Sequence, residues 1–493
     1  MKLIRDKIKN LGNSIDNAFD NRNTELLRKL IDDASLIVNE GTNTDEQAIV
    51  DYFIGNAWSD LDVLNNYGKK TVWSYERIEH INAIKYFRKC VSNINVSEEI
   101  KAGIFLQAYT NIGNMFSESG RIIYAIESWE KALSIEPSFG MARCNLCHGL
   151  IYYANNLYDS NHKALMLRHC HNELLLFLKQ DDIHEKARIA FETDLSRIRR
   201  VLNVDFLKKQ NSFREYSLGR SQKERNYRKW VLTNSLYLNP LNDIFFDTAI
   251  AHDVLQLPNM RVRDYKAPVF HGFFNQLKQE YITARYLYYQ YKEELPESVI
   301  HYSDKDRKLV NTLDYPQYGF RYEQLKNAFK TLYSILDKVG YFINEYFELG
   351  IDRDRVYFRS IWYKDRQINP KIESLNNNPL RGLYFLSKDF YAKDMEYLES
   401  VEPDAKDIAD LRNSIEHKYF KIHWIKPKES DGELRFDNLA YSIDESDFEK
   451  KVYRLLRCAR EALIYLSLSI HVEEKKNVKD DGIVMPLQLF DYD

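Results

Sequence analysis

The stretch LQAYTNIGNMFSESGRIIYAIESWEKALSIEPSF, residues 106–139, has apolar residues that recur every three or four positions, which predicts helices. Gly113 leaves room for two antiparallel helices to approach each other closely. Phe116 and Trp129 are large enough to fill the space between successive helix pairs, and Pro137 ends the second helix because proline has no backbone N–H. One such pair cannot bury both of its faces, so further pairs must stack on it.

This spacing resembles the tetratricopeptide repeat, in which the two helices of one repeat pack on those of the next. The eight diagnostic positions of that repeat are matched by Tyr109, Ile112, Gly113, Phe116, Ala125, Trp129, Ala132 and Pro137. Segments at 51–58, 83–90, 140–153 and 163–178 have a similar pattern. The resemblance implies a helical solenoid over residues 1–203, with a concave surface for a protein or peptide partner.

The composition is that of a soluble globular protein of two or three domains, with 44% hydrophobic and 29% charged residues among 493. The net charge of −3 excludes a broad field for polyanions, so any nucleic acid must bind to a local basic patch. The chain has no apolar run of about eighteen residues and no secretory signal pattern. With five cysteines, an odd number, these features predict a cytoplasmic protein without membrane contact.

From residue 204 onward the repeat pattern is lost, and we predict a second domain over 204–493. Apolar and aromatic periodicity predicts four long helices in it, at 273–295, 321–349, 404–424 and 444–475. The segment VYFRSIWY, 356–363, alternates and predicts a short strand. The predicted fold class is therefore all-α, with a solenoid followed by a helical-bundle domain that carries insertions.

The third of these predicted helices contains ADLRNSIEHKYF, residues 409–420, in which Arg412 precedes His417 by five positions. An Arg followed by four to six residues and then a His arises about twice by chance in a chain of this composition. The other occurrence, Arg143 with His148, lies inside the predicted solenoid. The simplest alternative for Arg412 is an exposed helix face, on which it pairs with Glu416 one turn later.

The arrangement R-N-x-x-x-H on this helix resembles the HEPN superfamily, a four-helix domain whose ribonuclease members carry the motif on the third helix. Four further pieces, in the same order, resemble a bacterial branch of that superfamily with N-terminal tetratricopeptide repeats: LNPLND (238–243), FFNQLKQEYITARYLYY (273–289), NTLDYPQYG (311–319) and LDKVGYFIN (336–344). The resemblance implies a homodimer whose two motif helices face each other and form one composite site. It also implies RNA cleavage that leaves 2′,3′-cyclic phosphate and 5′-hydroxyl ends, in a toxin or antiphage effector controlled by its repeats.

The residue types suit this chemistry. Histidine transfers protons near neutral pH, so His417 would act as acid and base. Arg412 offers a planar group of N–H donors that fits a phosphate. Asn413 lies four positions before His417, on the same helix face, where it can orient the ring. Arg412 and His417 are about 140° apart around the axis, so one helix cannot easily aim both at one phosphate. The dimer implied by the resemblance removes this difficulty.

Two further groups of residues are candidates for the RNA site. Asp337 and Glu345 are both candidates for the acidic residue that many family members place near the Arg, and each is equally consistent with a solvated polar position. A basic stretch interleaved with aromatic residues predicts an RNA-contacting surface or, alternatively, a charged helix face; its members are Arg220, Lys223, Arg225, Arg228 and Lys229.

The sequence CNLCH, residues 144–148, resembles a c-type haem attachment site or, with His169, Cys170 and His171, a zinc cluster. Haem attachment requires export, and no export signal is visible. Cys147 falls at a small-residue packing position of the repeat frame, where a buried cysteine is the simplest interpretation. We therefore predict no metal and no cofactor, with zinc as the alternative.

Together these patterns predict a metal-independent endoribonuclease that acts on RNA as a homodimer. The alternative is a non-enzymatic adaptor, in which the second domain only dimerises and the repeats bind peptides. The two hypotheses differ in geometry, because the motif side chains of two subunits converge in a nuclease and point apart or into solvent in an adaptor.

Overall fold

The computed structural model describes residues 2–39, 42–93, 95–179, 183, 185–209, 213–262, 267–294, 300–391, 400–402, 404–428, 437–476 and 483–484. Over these residues the chain is mainly helical, and its strands are only two to four residues long. The predicted all-α fold class is confirmed. Among the described helices, none has both the length and the apolar character needed to cross a bilayer.

The helices are numbered along the chain. The first eleven are α1 Lys2–Asp20, α2 Thr24–Asn39, α3 Thr44–Asn66, α4 Ile78–Ser92, α5 Glu98–Ile100, α6 Leu106–Glu118, α7 Ile122–Ile135, α8 Gly140–Asn156, α9 Ser160–Phe177, α10 Glu185–Val201 and α11 Val204–Lys208. They continue as α12 Gln222–Thr233, α13 Val269–Tyr289, α14 Phe320–Tyr346, α15 Pro370–Glu373, α16 Asn378–Ser387, α17 Ala405–His417 and α18 Glu445–Lys476.

The remaining regular elements are short. Single turns of 3-10 helix occupy Lys70–Trp73, Pro240–Asp243, Thr248–Ile250, Tyr302–Asp304 and Arg353–Arg355, and π-helical turns occupy Lys101–Phe105 and Gln290–Glu294. The strands are β1 Arg261–Val262, β2 Tyr363–Lys364, β3 Gln367–Ile368, β4 Phe420–His423, β5 Tyr441–Asp444 and β6 Ile483–Val484. β1 pairs with β6 and β2 with β3 in antiparallel fashion, whereas β4 and β5 are parallel.

The fold divides into two compact units. The first unit consists of Met1–Phe213, Trp362–Asp389 and Glu399–Pro403, and the second of Arg214–Ile361, Phe390–Leu398 and Asp404–Asp493. The chain therefore leaves the first unit after α11 and returns to it at Trp362, between α14 and α17. The domain boundary between residues 203 and 204 remains a prediction.

In the first unit, one buried tryptophan sets the distance between neighbouring helices. Trp129 of α7 lies between Gly113 of α6 and Gly149 of α8. A Cβ atom at Gly113 would lie 2.3 Å from Trp129 Nε1, and one at Gly149 would lie 2.5 Å from Trp129 Cζ3. The indole N–H donates to the carbonyl of Thr110 at 3.2 Å. Antiparallel helix pairs are thus built around this ring as predicted from residues 106–139, while the tetratricopeptide identity remains a prediction.

The returning segment is anchored in the first unit by a buried carboxylate. Asp389 follows α16 and is 1% exposed. It accepts a hydrogen bond from Arg121 at 2.7 Å and another from Arg88, and both guanidinium groups are buried. Arg88 also pairs with Glu402 at 2.9 Å. Because a buried charge is stable only when it is paired, the burial of Arg88 and Arg121 depends on these two carboxylates.

In the second unit, two buried arginines join the loop before α13 to the helices. Arg460 of α18 donates to the carbonyl of Tyr237 at 2.7 Å and to Asp243 at 2.6 Å. Arg285 of α13 donates to Asp253 at 2.7 Å. The LNPLND segment therefore fixes α18 against the start of the unit, and α13, α14 and α18 share one apolar core.

Two predicted elements are corrected by the structure. Within the predicted strand 356–363, residues 358–362 form turns, and strand β2 begins only at Tyr363. The buried apolar residues of this segment include the neighbours Ile361 and Trp362, which do not alternate with exposed positions. The predicted helix 404–424 ends at His417, because Lys418 is extended with φ −133° and ψ −176° and the following aromatic and β-branched residues pair with β5.

We expect Gly113→Ala to lower the stability of the first unit. The added methyl group would meet Trp129, which cannot move away because Gly149 contacts its other edge, and overpacking of this kind costs about 1–3 kcal/mol. Gly103→Ala is the matched control, since nothing lies within 4 Å of its Cβ position. The control should be stabilised by about 0.5–1 kcal/mol through helix propensity. Circular dichroism melting of both variants tests this, and equal melting curves would contradict the role given to Trp129.

Candidate functional site

The motif helix α17 is fixed to the second unit at its N-terminal end and along one face. Ile408 and Leu411 are 2% and 0% exposed and pack into the core. Asp404, the residue before the helix, pairs with Lys451 at 2.7 Å and with Arg454, both from α18. Ser414, three positions after Leu411, is also buried and continues the same face. Between them, Asn413 is exposed and Arg412 is half-buried.

The strand that follows the helix holds its C-terminal end. Lys421 of β4 is 2% exposed and pairs with Asp314 and, at 2.7 Å, with Asp437. Burial disfavours its charged form, but these carboxylates raise the pKa of Lys421 above its ordinary value. The backbone N–H of Gln317 donates to the carbonyl of Ile422 at 2.7 Å. The NTLDYPQYG segment therefore positions β4, and with it the end of α17.

Arg412 lies over an aromatic ring and between two carboxylates. Its guanidinium carbon is 5.1 Å from the centroid of the Tyr333 ring. Its terminal nitrogen is 3.8 Å from Asp337 Oδ2, and its Nε is 3.7 Å from Glu416 Oε2. Neither distance is a hydrogen bond, and the buried Nε has no hydrogen-bond partner in the described part of the chain. The guanidinium is thus held by ion pairs and ring contact, with donor capacity left over.

The two predicted acidic candidates have different environments. Asp337 is next to Arg412 and accepts a hydrogen bond from the backbone N–H of Phe358 at 3.1 Å. Burial raises the pKa of Asp337, which the Phe358 N–H and Arg412 only partly oppose. Glu345 lies two turns further along α14 and pairs with Arg353 at 2.6 Å. The structure therefore brings Asp337, and not Glu345, to Arg412.

His417 and Asn413 face solvent, and one carboxylate connects His417 to Arg412. The side chain of His417 is 72% exposed, and Asn413 is exposed as well. Glu416 Oε2 lies 3.5 Å from His417 Nε2, and the same oxygen lies 3.7 Å from Arg412 Nε. From the sequence, Glu416 is expected only as the surface partner of Arg412. Because it follows Arg412 by four positions and directly precedes His417, contact with both residues is also possible.

The basic candidates of the second unit lie on or just before α12: Arg220, Lys223, Arg225, Arg228 and Lys229. Lys223 pairs with Glu294 at 3.0 Å and Arg228 with Glu224 at 3.3 Å. Arg225 donates to the carbonyls of Gly219 and Arg220. The neighbouring Tyr227 packs against Tyr286 at a centroid distance of 5.1 Å, so its ring is engaged in packing. Lys229 is exposed.

The second Arg–His pair is fully engaged inside the first unit. Arg143 pairs with Glu173 at 2.8 Å, and His148 pairs with Asp194 at 3.1 Å. The hydrogen bond from Asp194 raises the pKa of His148. These partners account for both side chains as structural residues, which agrees with the interpretation of this pair as a chance occurrence.

Among the described residues, the CNLCH cysteines belong to no group of three metal-ligand atoms within bonding range of one ion. Cys147 is 2% exposed, and burial raises the pKa of its thiol. The described group that does meet this criterion is Asp62, His80 and Glu118 of the first unit. Arg77 lies among them, 2.9 Å from Asp62 and 3.0 Å from His80 Nδ1. Its guanidinium therefore stands where a cation would bind.

The position of α13, α14, α17 and α18 in one unit, with the motif on the third of them, is the arrangement implied by the resemblance. Residues 261–473 match the family model described as "LA2681-like HEPN". The match covers α13, α14, α17 and α18 as far as residue 473. It supports a place for this region in the HEPN superfamily, whose domains are generally ribonucleases and typically bind RNA and dimerise. It does not include the N-terminal helices α1 to α12. Comparison with curated proteins and with solved structures gives no match.

We expect Asp337→Asn to melt at a temperature equal to or above that of the wild type at pH 7.5. Burial raises the pKa of Asp337 in the folded state, so ionisation there opposes folding, fully so above both pKa values. The asparagine still accepts from Phe358 N–H. The difference should shrink as the pH falls through the folded-state pKa towards about 4, where the unfolded carboxyl titrates.

Glu345→Gln is the matched control for Asp337→Asn, because Glu345 pairs with an exposed arginine. Its effect should stay within about 0.5 kcal/mol at every pH. Melting temperatures measured from pH 4 to pH 8 check both expectations. The stability difference between Asp337→Asn and the wild type is compared across this range. If the variant loses stability relative to the wild type as the pH rises from 4 to 7.5, ionised Asp337 stabilises the fold and the expectation is wrong.

Proposed function

We propose that the protein is a metal-independent endoribonuclease that acts as a homodimer, with Arg412 and His417 in a composite site. The observation that carries the proposal is the position of the Glu416 carboxylate, within 3.7 Å of Arg412 and 3.5 Å of His417. An anion thus already lies between a permanent cation and a group suited to proton transfer. A scissile phosphate has the same need for a cation and a nearby acid or base.

In the proposed reaction, His417 acts as both base and acid: it removes the proton of the RNA 2′-hydroxyl and returns a proton to the leaving 5′-oxygen. The 2′-oxygen attacks the phosphorus, and the bond to the 5′-oxygen breaks. The products are a 2′,3′-cyclic phosphate and a 5′-hydroxyl. Arg412 stabilises the charge that develops on the phosphate, since a guanidinium remains protonated throughout. Asn413, exposed on the face of His417, orients the substrate or the ring, and Asp337 holds Arg412 in place.

Dimerisation through the second unit is supported by exposed apolar side chains next to the motif helix. Trp424 and Ile425 follow β4 and are 60% and 85% exposed. Tyr419 and Leu439 are 39% and 81% exposed. Exposed apolar side chains grouped in this way mark interaction surfaces. A second subunit seated there would bring a second motif helix near the first and supply the other half of each site.

The basic face of α12 is proposed as a further contact for the RNA strand, through the exposed side chains of Arg225 and Lys229. By its resemblance to HEPN proteins with N-terminal repeats, the chain would act as a bacterial toxin or antiphage effector. Its helical repeats would then control the nuclease by binding a partner.

The second candidate function is that of a non-enzymatic adaptor. The adaptor is favoured by the ion pairs that Arg412 makes with Asp337 and Glu416 of its own chain. A residue that only stabilises the fold is expected to have carboxylate partners of this kind. In that case the second unit dimerises and α17 supplies a polar surface without chemistry.

The proposal is tested by RNA cleavage in the presence of a chelator, with wild type, Arg412→Ala and His417→Ala compared at matched dimer content. Both variants should lose at least about 100-fold in rate, the usual contribution of a general acid or base. The wild type should leave cyclic phosphate ends. Lys418→Ala, an exposed neighbour in the sequence, is the control and should cleave normally. Cleavage that is equal in all four proteins would favour the adaptor.

Glu416→Gln should strengthen RNA binding, because it removes a negative charge from the position proposed for the phosphate. Removing one like charge at close range is expected to tighten binding roughly fivefold. Fluorescence anisotropy with a short RNA measures this in a His417→Ala background, which prevents cleavage. Asp447→Asn, an exposed acid on α18, controls for net charge. Equal tightening by both substitutions would show a general charge effect and not a local one.

A further inference from the structure

A cavity of about 490 Å³ lies entirely within the first unit. Residues of α3, α6, α7, α8 and α16 line it, together with the connection between α3 and α4. Its volume is in the range of sites that hold small organic ligands, typically about 300–1,000 Å³. None of the side chains assigned to the proposed RNA site takes part in it.

The floor of the cavity contains buried polar atoms without partners. Arg381 is 3% exposed, and its two terminal nitrogens donate only to backbone carbonyls, among them that of Ser74 at 3.2 Å. Among the described residues, its Nε has no hydrogen-bond partner, and neither has the buried Oδ1 of Asn378. Burial, and then the neighbouring Arg77, lower the pKa of Arg381 to about 10. A buried cation that lacks sufficient negative charge around it favours an anionic ligand.

Two amides line the same cavity. Asn145 donates through its Nδ2 to Asn114 Oδ1 at 2.7 Å, and the indole of Trp129 donates to the same oxygen at 3.1 Å. Asn114 Oδ1 therefore accepts two hydrogen bonds, and both amide side chains line the cavity, so the pair offers it amide N–H donors and a carbonyl acceptor. One donor and one acceptor side by side match the hydrogen-bonding edge of a nucleobase.

The connection at the mouth of the cavity combines aromatic rings with positive charge. Tyr67 and Trp73 line the cavity and are nevertheless 79% and 61% exposed. Lys69 and Lys70, between them in the sequence, are exposed as well. Exposed aromatic faces beside cations are the usual surface on which bases stack while phosphates are paired.

Two carboxylates that line the cavity, those of Asp62 and Glu118, would repel a ligand that carries only negative charge. Asp62 is occupied, because it accepts from Arg77 at 2.9 Å. Glu118 is 3.7 Å from Arg77, and its side chain is 54% exposed. Carboxylates accept hydrogen bonds from ribose hydroxyls in nucleotide sites, so Glu118 suits the sugar of a ligand whose phosphate lies elsewhere.

We propose that this cavity binds a nucleoside monophosphate. The phosphate lies against Arg381, the base stacks on Trp73, and the two amides contact its edge. A nucleotide matches the positive charge of Arg381, the amide pair and the exposed rings together, whereas an acidic peptide leaves the amide pair and the rings without specific partners. The proposal concerns binding alone and holds or fails independently of RNA cleavage.

Isothermal titration of the full-length chain with AMP, GMP, CMP and UMP tests the proposal. At least one of the four should bind with one site per chain and a dissociation constant below about 1 mM. Adenosine or the matching nucleoside alone, and inorganic phosphate alone, should each bind at least about tenfold more weakly, because each supplies only part of the contacts. Comparable binding of phosphate alone would identify an anion site without base recognition and overturn the proposal.

Trp73→Ala carries the mutational test, since Trp73 is exposed and its removal leaves the core intact. It should weaken nucleotide binding at least about tenfold. Arg381→Lys should weaken it as well, and unchanged near-ultraviolet circular dichroism would show that this variant is folded. Tyr302→Ala, an aromatic side chain that is 78% exposed in the second unit, is the control. Unchanged affinity in Trp73→Ala, or binding of an acidic hexapeptide but of no nucleotide, would overturn the proposal.

Discussion

Lys421 is a buried cation of the second unit, and the position of the motif helix α17 depends on the carboxylates that pair with it. A buried ammonium group is stable only with carboxylates around it. Asp314 and Asp437 provide them from segments on either side of α17 in the sequence. At the other end of the helix, Asp404 is paired with α18. α17 is therefore positioned by ion pairs at its two ends, and its exposed side is left for other purposes.

On that side of the helix, Arg412 is held by ion pairs and an aromatic ring and makes no hydrogen bond to either carboxylate beside it. The ring of Tyr333 and the carboxylates of Asp337 and Glu416 keep the guanidinium in place, yet every charged contact is longer than a hydrogen bond. A phosphate could therefore replace Glu416 at small cost, because no strong hydrogen bond would be lost. Within the part of the chain that the structure describes, the ion-pair partner of His417 is this same carboxylate. The incomplete arrangement is what a site shared between two subunits requires.

The sequence allowed the helices and the motif residues to be predicted, because their signals are local. Gly113 and Trp129 lie in one short stretch and together predict a close helix pair. Arg412 and His417 lie within about one and a half turns of one helix, so their spacing can be read directly from the sequence. The end of α17 at His417 was missed, since it depends on the pairing of β4 with β5. The choice between Asp337 and Glu345 was equally out of reach, because the two are two turns apart on one helix and only the packing of α17 distinguishes them. The return of Trp362–Asp389 to the first unit depends on buried charges from distant segments, which no local pattern records.

That return has a consequence for how the protein is made. Arg88 and Arg121 are synthesised early, but the carboxylates that pair with them, those of Asp389 and Glu402, leave the ribosome only after the sequences of α13 and α14. Until then the nascent first unit holds two guanidinium groups that cannot be buried without their counter-charge. The N-terminal unit therefore cannot complete its folding as an independent early domain. A chain truncated after residue 213 would keep the same defect permanently.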